Sequence, residues 1–561
     1  MNAPDPITPE TPMRRAAKLG WGVLIVATLY VCYFSHLGAI GFVGPDEPRY
    51  AWIARDMAES GDWVTPRLYG QPWFEKPVLY YWGGALSFKL FGVSEAAARL
   101  PSAVSALLAT LALAWLAWRL YGAETARWLL LLLPTSVGML GFSHAAATDM
   151  PFSGMLTIAM AAAAVVLGLP RHSSDTSPQP TPWLALGAFG FFLGAAVLAK
   201  GPAAVILSGG AVFFWAVFTR RWRDAFRLFH PAALASFFAT ALPWYILCAR
   251  RNPDFFRVFI IEHNFKRYLT PEFRHIQPFW FYIPILVLAI FPWSLLLVPL
   301  LSKAVKGFRT GCWPGSRGIL LLCWSLFPIA FFSLSKSKLP GYILPAVPPM
   351  VLLASRSARE LLHSTSRRSR WGLEWVALTP VFLAIALLFG RFYTHVNSMP
   401  QPPRGYKIAL LLLIIGETMA LTVLIGARSR KGALISSVLA VVLLVHAIER
   451  YELPWMDACQ SPRTAARLVL ALGPAPHSVF TAQMDRNWQY ALNFYFHREL
   501  PEWTPGSPPL SYVFVSSAGL EALDEQGIRY EFLGAVTTRR NLVKTAAAGG
   551  VSGLATPEWK K

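Results

Sequence analysis

Apolar runs of roughly 20 residues recur along most of this chain, each long enough to cross about 30 Å of hydrocarbon as a helix. A single soluble core would not need that repetition. The runs cover residues 19–37, 94–120, 125–140, 150–167, 183–198, 202–219, 231–248, 278–301, 318–334, 341–355, 372–389, 407–427 and 432–446. They predict about thirteen crossings, short and proline-broken segments setting an error of one or two. Composition agrees: 55% of the 561 residues are hydrophobic and only 14% charged, too few charges to cover a soluble surface. No small-residue cleavage pattern follows the first apolar run, so it is expected to stay as a span rather than leave as a signal peptide.

Orientation follows from where Arg and Lys collect, since basic loops stay cytoplasmic. Arg14, Arg15 and Lys18 precede the first span. Alternate later loops repeat the bias with Arg220, Arg221, Arg223 and Arg227, then Lys303, Lys306 and Arg309, then the cluster from Arg356 to Arg370, then Arg428, Arg430 and Lys431. The N-terminus is therefore expected in the cytoplasm. The loops holding Asp46, Asp149, His263 and Lys336, and everything after about residue 450, are expected outside. Topology thus accounts for most of the net charge of +21 without a nucleic-acid partner. It does not account for Lys76, Lys200, Arg250, Arg251, Lys266, Arg267, Arg274, Lys336 or Lys338, which suggest an anionic ligand on the outer face. Five cysteines without paired spacing, Cys32, Cys248, Cys312, Cys323 and Cys459, point to neither a disulfide framework nor a thiolate metal cluster.

The fold expected is an α-helical polytopic membrane protein, residues 1–449, with a small external α/β domain, 450–561. The first outer segment, 38–93, carries two helical patterns, 48–60 and 78–91, the second reading as interfacial or re-entrant. A second outer segment, 250–277, is polar and aromatic and reads as a lid or binding loop. The tail shows strand-like pieces at 511–515 and 528–533.

Chemistry concentrates in the first loop. Asp46 and Glu47 lie just outside a span, where carboxylates are costly unless solvated, paired or used. Arg49, Tyr50, Arg55, Phe74, Glu75, Lys76, Tyr80, Tyr81 and Trp82 follow. Asp149, at the outer end of its helix, reads equally as an N-cap. Glu75 and His263 could meet in a divalent metal site, zinc for instance, if the two outer loops pack together. No Gly-rich nucleotide loop has a useful context.

Gly44-Pro45-Asp46-Glu47-Pro48-Arg49-Tyr50 with Phe74-Glu75-Lys76-Pro77, Thr148-Asp149-Met150-Pro151-Phe152, Ala199-Lys200-Gly201-Pro202, Glu262-His263 and the run from Ser335 to Pro345 together resemble the bacterial aminoarabinose transferases. These are relatives of protein O-mannosyltransferases in the type-C glycosyltransferase class. The resemblance runs from the first loop to the tenth helix and weakens over the tail. It implies transfer of 4-amino-4-deoxy-L-arabinose from an undecaprenyl phosphate carrier to lipid A phosphates at the periplasmic face of the inner membrane, hence polymyxin resistance. With it come the expected roles. Asp46, Asp149 and Glu47 are catalytic carboxylates; Lys76, Arg267, Tyr342, Arg49 and Tyr50 contact the donor phosphate. Tyr80, Tyr81 and Trp82 line a groove for the carrier, and Lys336, Lys338 and Lys200 receive the acidic acceptor. A monomer in contact with membrane lipids, with no obligatory cofactor, is expected. Another polyprenyl phosphate sugar, galacturonic acid or mannose, passed to a glycan or protein is the near alternative. A lipid-sugar transporter is the distant one, disfavoured because charge gathers at helix ends rather than at mid-membrane depth.

Overall fold

The computed structural model describes residues 12–169, 181–269, 276–310, 315–389, 402–473, 478–537 and 540–545. Among these residues eight helices are long and apolar enough to cross a membrane, or ten if each of two bent pairs is one span. Shorter apolar helices at Lys18–Tyr33 and Ala203–Thr219 accompany them. The chain is a polytopic helical membrane protein. Residues 341–355, read above as a span, instead begin in a 3-10 turn, Pro340–Ala346, and continue as the helix Val347–His363, which is not among the long apolar helices. Prolines at 340, 345, 348 and 349 remove the N–H donors that a regular helix would need there.

Both bends have a proline at the break. Ala123–Leu132 and Val137–Ser143 meet at 59° around Pro134, where Thr135 Oγ1 donates to Leu131 O at 2.6 Å and receives Trp293 Nε1–H at 2.9 Å. Tyr282–Ile290 and Trp293–Gly307 meet at 103° around Pro292. We number α1 (Pro12–Tyr33), α2 (Asp46–Ser60), α3 (Leu79–Phe91), α4 (Glu95–Tyr121), α5 (Ala123–Leu132), α6 (Val137–Ser143), α7 (Asp149–Val166) and α8 (Trp183–Lys200). Helix α7 is central: 83% of its apolar window is buried by protein, against 22% for Arg404–Gly426. Small residues allow the close packing that membrane helices depend on. A Cβ on Gly190 of α8 would lie 2.1 Å from the Ala233 carbonyl oxygen in Pro231–Arg251.

The first loop folds into α2, a short hairpin of β1 (Arg67–Leu68) and β2 (Gln71–Pro72), and α3. Helix α2 ends at Gly61, whose φ of 74° is the left-handed C-cap that glycine adopts freely. Helix α3 buries Tyr80, Tyr81, Gly84, Ala85 and Phe88 and leaves Leu86, Leu90 and Phe91 exposed, an apolar outer edge suited to the bilayer interface. In the second loop, Arg257–Lys266 is π-helical and Arg267–Leu269 forms a last α turn.

Beyond the helix Arg430–Ala447 and a π turn, Ile448–Glu452, the chain forms a four-stranded sheet. Its strands are β3 (Val479–Ala482), β4 (Tyr512–Ser516), β5 (Tyr530–Thr537) and β6 (Arg540–Thr545), in the order β3-β4-β6-β5. Only β3 and β4 are parallel. The period-2 pattern of β4 explains why both faces are covered. Phe514 packs with Val479, Leu542, Trp488 and Val469 on one side, and Val513 and Val515 pack with Phe480, Leu520 and Val543 on the other. The strand-like pieces read at 511–515 and 528–533 fall on β4 and β5.

Candidate functional site

Asp46 and Glu47 are neighbours with opposite surroundings. Asp46 opens α2 with its side chain 53% exposed and pairs with the Arg49 guanidinium one turn on, and its charge favours the positive end of the helix. Glu47 is turned inward. It receives Arg99 Nε and Nη2, both at 2.9 Å, the Ala146 amide at 2.8 Å and the Val43 amide at 2.8 Å. Arg99, 2% exposed, also donates to the carbonyls of Leu37, Ile40 and Gly41 at 2.7 to 2.9 Å. This saturated node fixes the irregular chain ahead of α2 and leaves Glu47 buried with both carboxylate oxygens occupied. Arg99 escaped the sequence reading, although an arginine inside an otherwise apolar span is itself a signal.

Arg49 is buried between carboxylates. Besides Asp46 it pairs with Glu75 at 3.1 Å, donates from Nε to Pro45 O at 2.9 Å, and lies over the rings of Trp73 and Tyr490 at 5.7 and 5.3 Å. In this arrangement its charge is shared between Asp46 and Glu75. Tyr50 is 3% exposed beneath it, and its phenol is pushed well above the ordinary tyrosine range by burial first and by Asp46 and Glu75 next. Tyr81 is shifted the same way by burial and Glu75, so both phenols stay neutral.

Glu75 leads from this pair of carboxylates into a cavity of about 480 Å³. Its polar edge carries Glu75, Lys76, Lys200, His263, Tyr268, Ser335 and Tyr342, and its apolar wall Pro202, Ile206, Phe259, Ile260, Phe331 and Phe332. Four separate stretches of sequence are therefore brought together: the first loop, the α8 end with the start of the next helix, the π-helical loop, and the run from the end of Ser316–Ser333 into the 3-10 turn Pro340–Ala346. Lys200 Nζ is 2.5 Å from Asp149 Oδ1 and stands 4.8 Å above the Tyr342 ring. Asp149 is the first residue of α7, following the N-cap Thr148; its partner is the Lys200 ammonium. Gly341 makes room for it, since a Cβ there would be 2.6 Å from Asp149 Oδ1 and 3.0 Å from the Phe142 ring.

Other expected residues lie elsewhere. Tyr80 and Tyr81 are 0% exposed, Tyr80 donating to Ala98 O at 2.8 Å, and Trp82 donates to Trp63 O at 2.8 Å. They tie α3 to its neighbours and are not among the residues lining the cavity, Tyr80 and Tyr81 being buried against protein and Trp82 half-buried. Lys338 is buried with its ammonium on Ser335 O at 2.7 Å, while Lys336 is exposed and its amide bonds to Tyr268 O at 3.0 Å. The side chain of Arg267, and all of Arg274, lie outside the described residues. Glu75 and His263 share the cavity rim, but among the described residues no third His, Cys, Asp or Glu joins them in a group of metal-ligand spacing. Tyr268, Phe259 and Phe331 were missed, as lone aromatic residues among so many give no signal.

The lining combines cations and a phenol with apolar side chains, the chemistry that an anionic head with an apolar tail requires. Residues 21–259 match the family model for dolichyl-phosphate-mannose-protein mannosyltransferases. An undecaprenyl phosphate-alpha-4-amino-4-deoxy-L-arabinose arabinosyl transferase of Pseudomonas aeruginosa is 31% identical over 405 residues, 71% of this chain and 70% of that protein. Counterparts from Erwinia tasmaniensis and Edwardsiella ictaluri are each 33% identical, but the match spans only 56% and 61% of their lengths. The crystal structure of ArnT from Cupriavidus metallidurans bound to undecaprenyl phosphate superposes with a TM-score of 0.74 at 24% identity, covering 96% of this chain and 99% of that one. Its fold is shared.

Proposed function

Because this chain belongs to the undecaprenyl phosphate-aminoarabinose arabinosyl transferase family, we propose that it transfers 4-amino-4-deoxy-L-arabinose from undecaprenyl phosphate to lipid A phosphates. The observation that carries the reading is the cavity, in which Lys76, Lys200 and Tyr342 edge an apolar wall of Ile206, Phe259 and Phe331. A polyprenyl phosphate has that same division into a charged head and an apolar chain.

As the glycosidic bond breaks, negative charge grows on the leaving phosphate. Fixed cations aimed at it lower the barrier, and Lys76 with the Tyr342 hydroxyl fills that role. Lys200 is shared with Asp149, which holds it in place. The acceptor phosphate is already ionised at neutral pH, so a general base is dispensable. Asp46 instead stabilises positive charge on the sugar or binds its ammonium group, with Arg49 setting its orientation. A divalent cation at Glu75 and His263 is a separate proposal. Two protein ligands are fewer than the three usual in catalytic zinc sites, so phosphate oxygens would complete it; no step above depends on it.

The topology belongs to the same proposal: about thirteen crossings of the inner membrane, a cytoplasmic N-terminus and a periplasmic domain from residue 450 onward. The test is mass spectrometry of the products after purified protein is mixed with the aminoarabinose carrier and lipid A. Lipid A heavier by one aminoarabinose is expected, and none with Asp46→Ala at equal protein level. Product from a carrier of galacturonic acid or mannose alone would overturn the substrate assignment.

A further inference from the structure

Away from the cavity, three chain segments converge on one buried carboxylate. Glu449, 3% exposed, sits in the π turn Ile448–Glu452, an irregularity often found at functional sites. Its ion-pair partners among the described residues are histidines alone: His36 Nδ1 lies 3.5 Å from Oε2 and His144 Nε2 3.3 Å from Oε1. No lysine or arginine among the described residues neutralises it. His446, one turn earlier, faces His36 with ring centroids 5.5 Å apart. One ligand atom from each of His36, His446 and Glu449 lies within 4.8 Å of the others.

We propose that His36, His446 and Glu449 bind a divalent transition-metal ion of the zinc class. Two imidazoles and one carboxylate form a zinc ligand set that leaves a fourth position for water. At Zn–N and Zn–O lengths of about 2.0–2.2 Å, tetrahedral ligands stand roughly 3.4 Å apart, so the present spacing closes through small rotamer changes of the two exposed histidines. The supports are already built. The Ser35 hydroxyl donates to Glu449 Oε2, an outer contact of the kind that orients a metal-bound carboxylate, and Oε1 is buried with no hydrogen-bond partner among the described residues, 3.3 Å from His144 Nε2. His36 sits in the left-handed backbone region at φ 51°, and histidine is one of the few residue types besides glycine that enter it readily. Bound metal would pin the turn after α1 to the end of Arg430–Ala447, just ahead of residues 38–46.

The test uses the full-length chain in detergent, stripped with chelator and then given zinc. Metal content after desalting and the thermal midpoint with and without zinc are measured for wild type, His446→Ala, His36→Asn and His263→Ala. Asparagine tolerates the left-handed backbone, so His36→Asn separates ligand loss from misfolding. Wild type is expected to hold one more zinc per chain than His446→Ala or His36→Asn and to gain thermal stability through it, while His263→Ala keeps this ion and its thermal shift whatever it loses at the cavity. Equal zinc content and equal zinc-induced shifts in wild type and both ligand variants would overturn the proposal, as would displacement of the ion by millimolar magnesium. Loss of zinc in His263→Ala alone would assign the metal to the cavity and overturn it equally.

Discussion

Asp46→Asn and Glu47→Gln change adjacent carboxylates by the same chemical step, and the structure gives them opposite consequences. Asp46 is half exposed and pairs with one arginine. An exposed ion pair contributes about 0–1 kcal/mol, and Arg49 keeps Glu75 and Pro45 O. Glu47→Gln leaves Arg99 buried without its anion, and the new amide turns two donors toward Val43 N–H and Arg99 Nη2–H, or toward Ala146 N–H and Arg99 Nε–H. Breaking a buried pair in this way costs about 3–5 kcal/mol. With an unfolding entropy of about 2.1 cal/mol/K per residue, the whole chain of 561 residues unfolds with about 1.2 kcal/mol/K, so the midpoint falls by roughly 3–4 °C. The Asp46 variant falls by less than about 1 °C. Transfer assayed on the same preparations should drop at least ~100-fold for Asp46→Asn, about 2.7 kcal/mol of transition-state stabilisation, despite its intact fold. Equal thermal shifts in the two variants, or full activity in Asp46→Asn, would refute the division of labour between them.

Lys76→Ala should lower kcat about 100-fold with a smaller change in KM, because a cation acting on the leaving phosphate works mainly in the transition state; a change in KM alone would make it a ground-state contact. Gly341→Ala should reduce transfer at least ~10-fold with little thermal effect, since its Cβ displaces Asp149 and with it Lys200; the control Asp149→Asn should be no less damaging in the same assay. Tyr81→Phe should keep activity and hold or raise the thermal midpoint by the equivalent of about 1 kcal/mol, because its buried hydroxyl has no hydrogen-bond partner among the described residues. A large activity loss in that variant would return Tyr81 to the substrate groove.

What the sequence made legible follows from how each feature is encoded. Apolar length marks spans, a local property, and the polar motifs at the outer helix ends carried the cavity residues Lys76, Lys200, Glu75, His263 and Tyr342. Orientation of a side chain is not local. Glu47 differs from Asp46 by one position on a helix, about 100° of rotation, and that rotation sends it toward Arg99, 52 residues away. The same blindness put Tyr80 and Tyr81 in a groove: an aromatic run on an amphipathic helix looks identical whether its rings face lipid carrier or neighbouring helices. Within residues 341–355 hydropathy averages over prolines, so the 3-10 start at Pro340–Ala346 was not legible in it.

The tail grips the first loop, which makes the position of Asp46 depend on residues more than four hundred places away. The Gly41 amide donates to Asp457 Oδ1 at 2.6 Å, and Arg463, paired with that carboxylate, donates to Gly38 O at 2.8 Å. Tyr495 receives the Phe42 amide at 3.2 Å and donates to Glu95 at 2.9 Å. A Cβ on Gly41 would lie 2.2 Å from Ser461 Oγ, so only glycine lets the two segments approach this closely. From the other side Arg99 binds the carbonyls of residues 37, 40 and 41. Residues 38–43 are thus hydrogen-bonded by an arginine on each flank, although they belong to no regular element, and α2 inherits its direction from them. Arg463→Ala removes one flank while touching nothing in the cavity. Its effect on transfer should therefore resemble a displaced Asp46, a lower kcat at nearly unchanged carrier affinity, and a fall in carrier affinity alone would show that the tail acts on the lipid site instead.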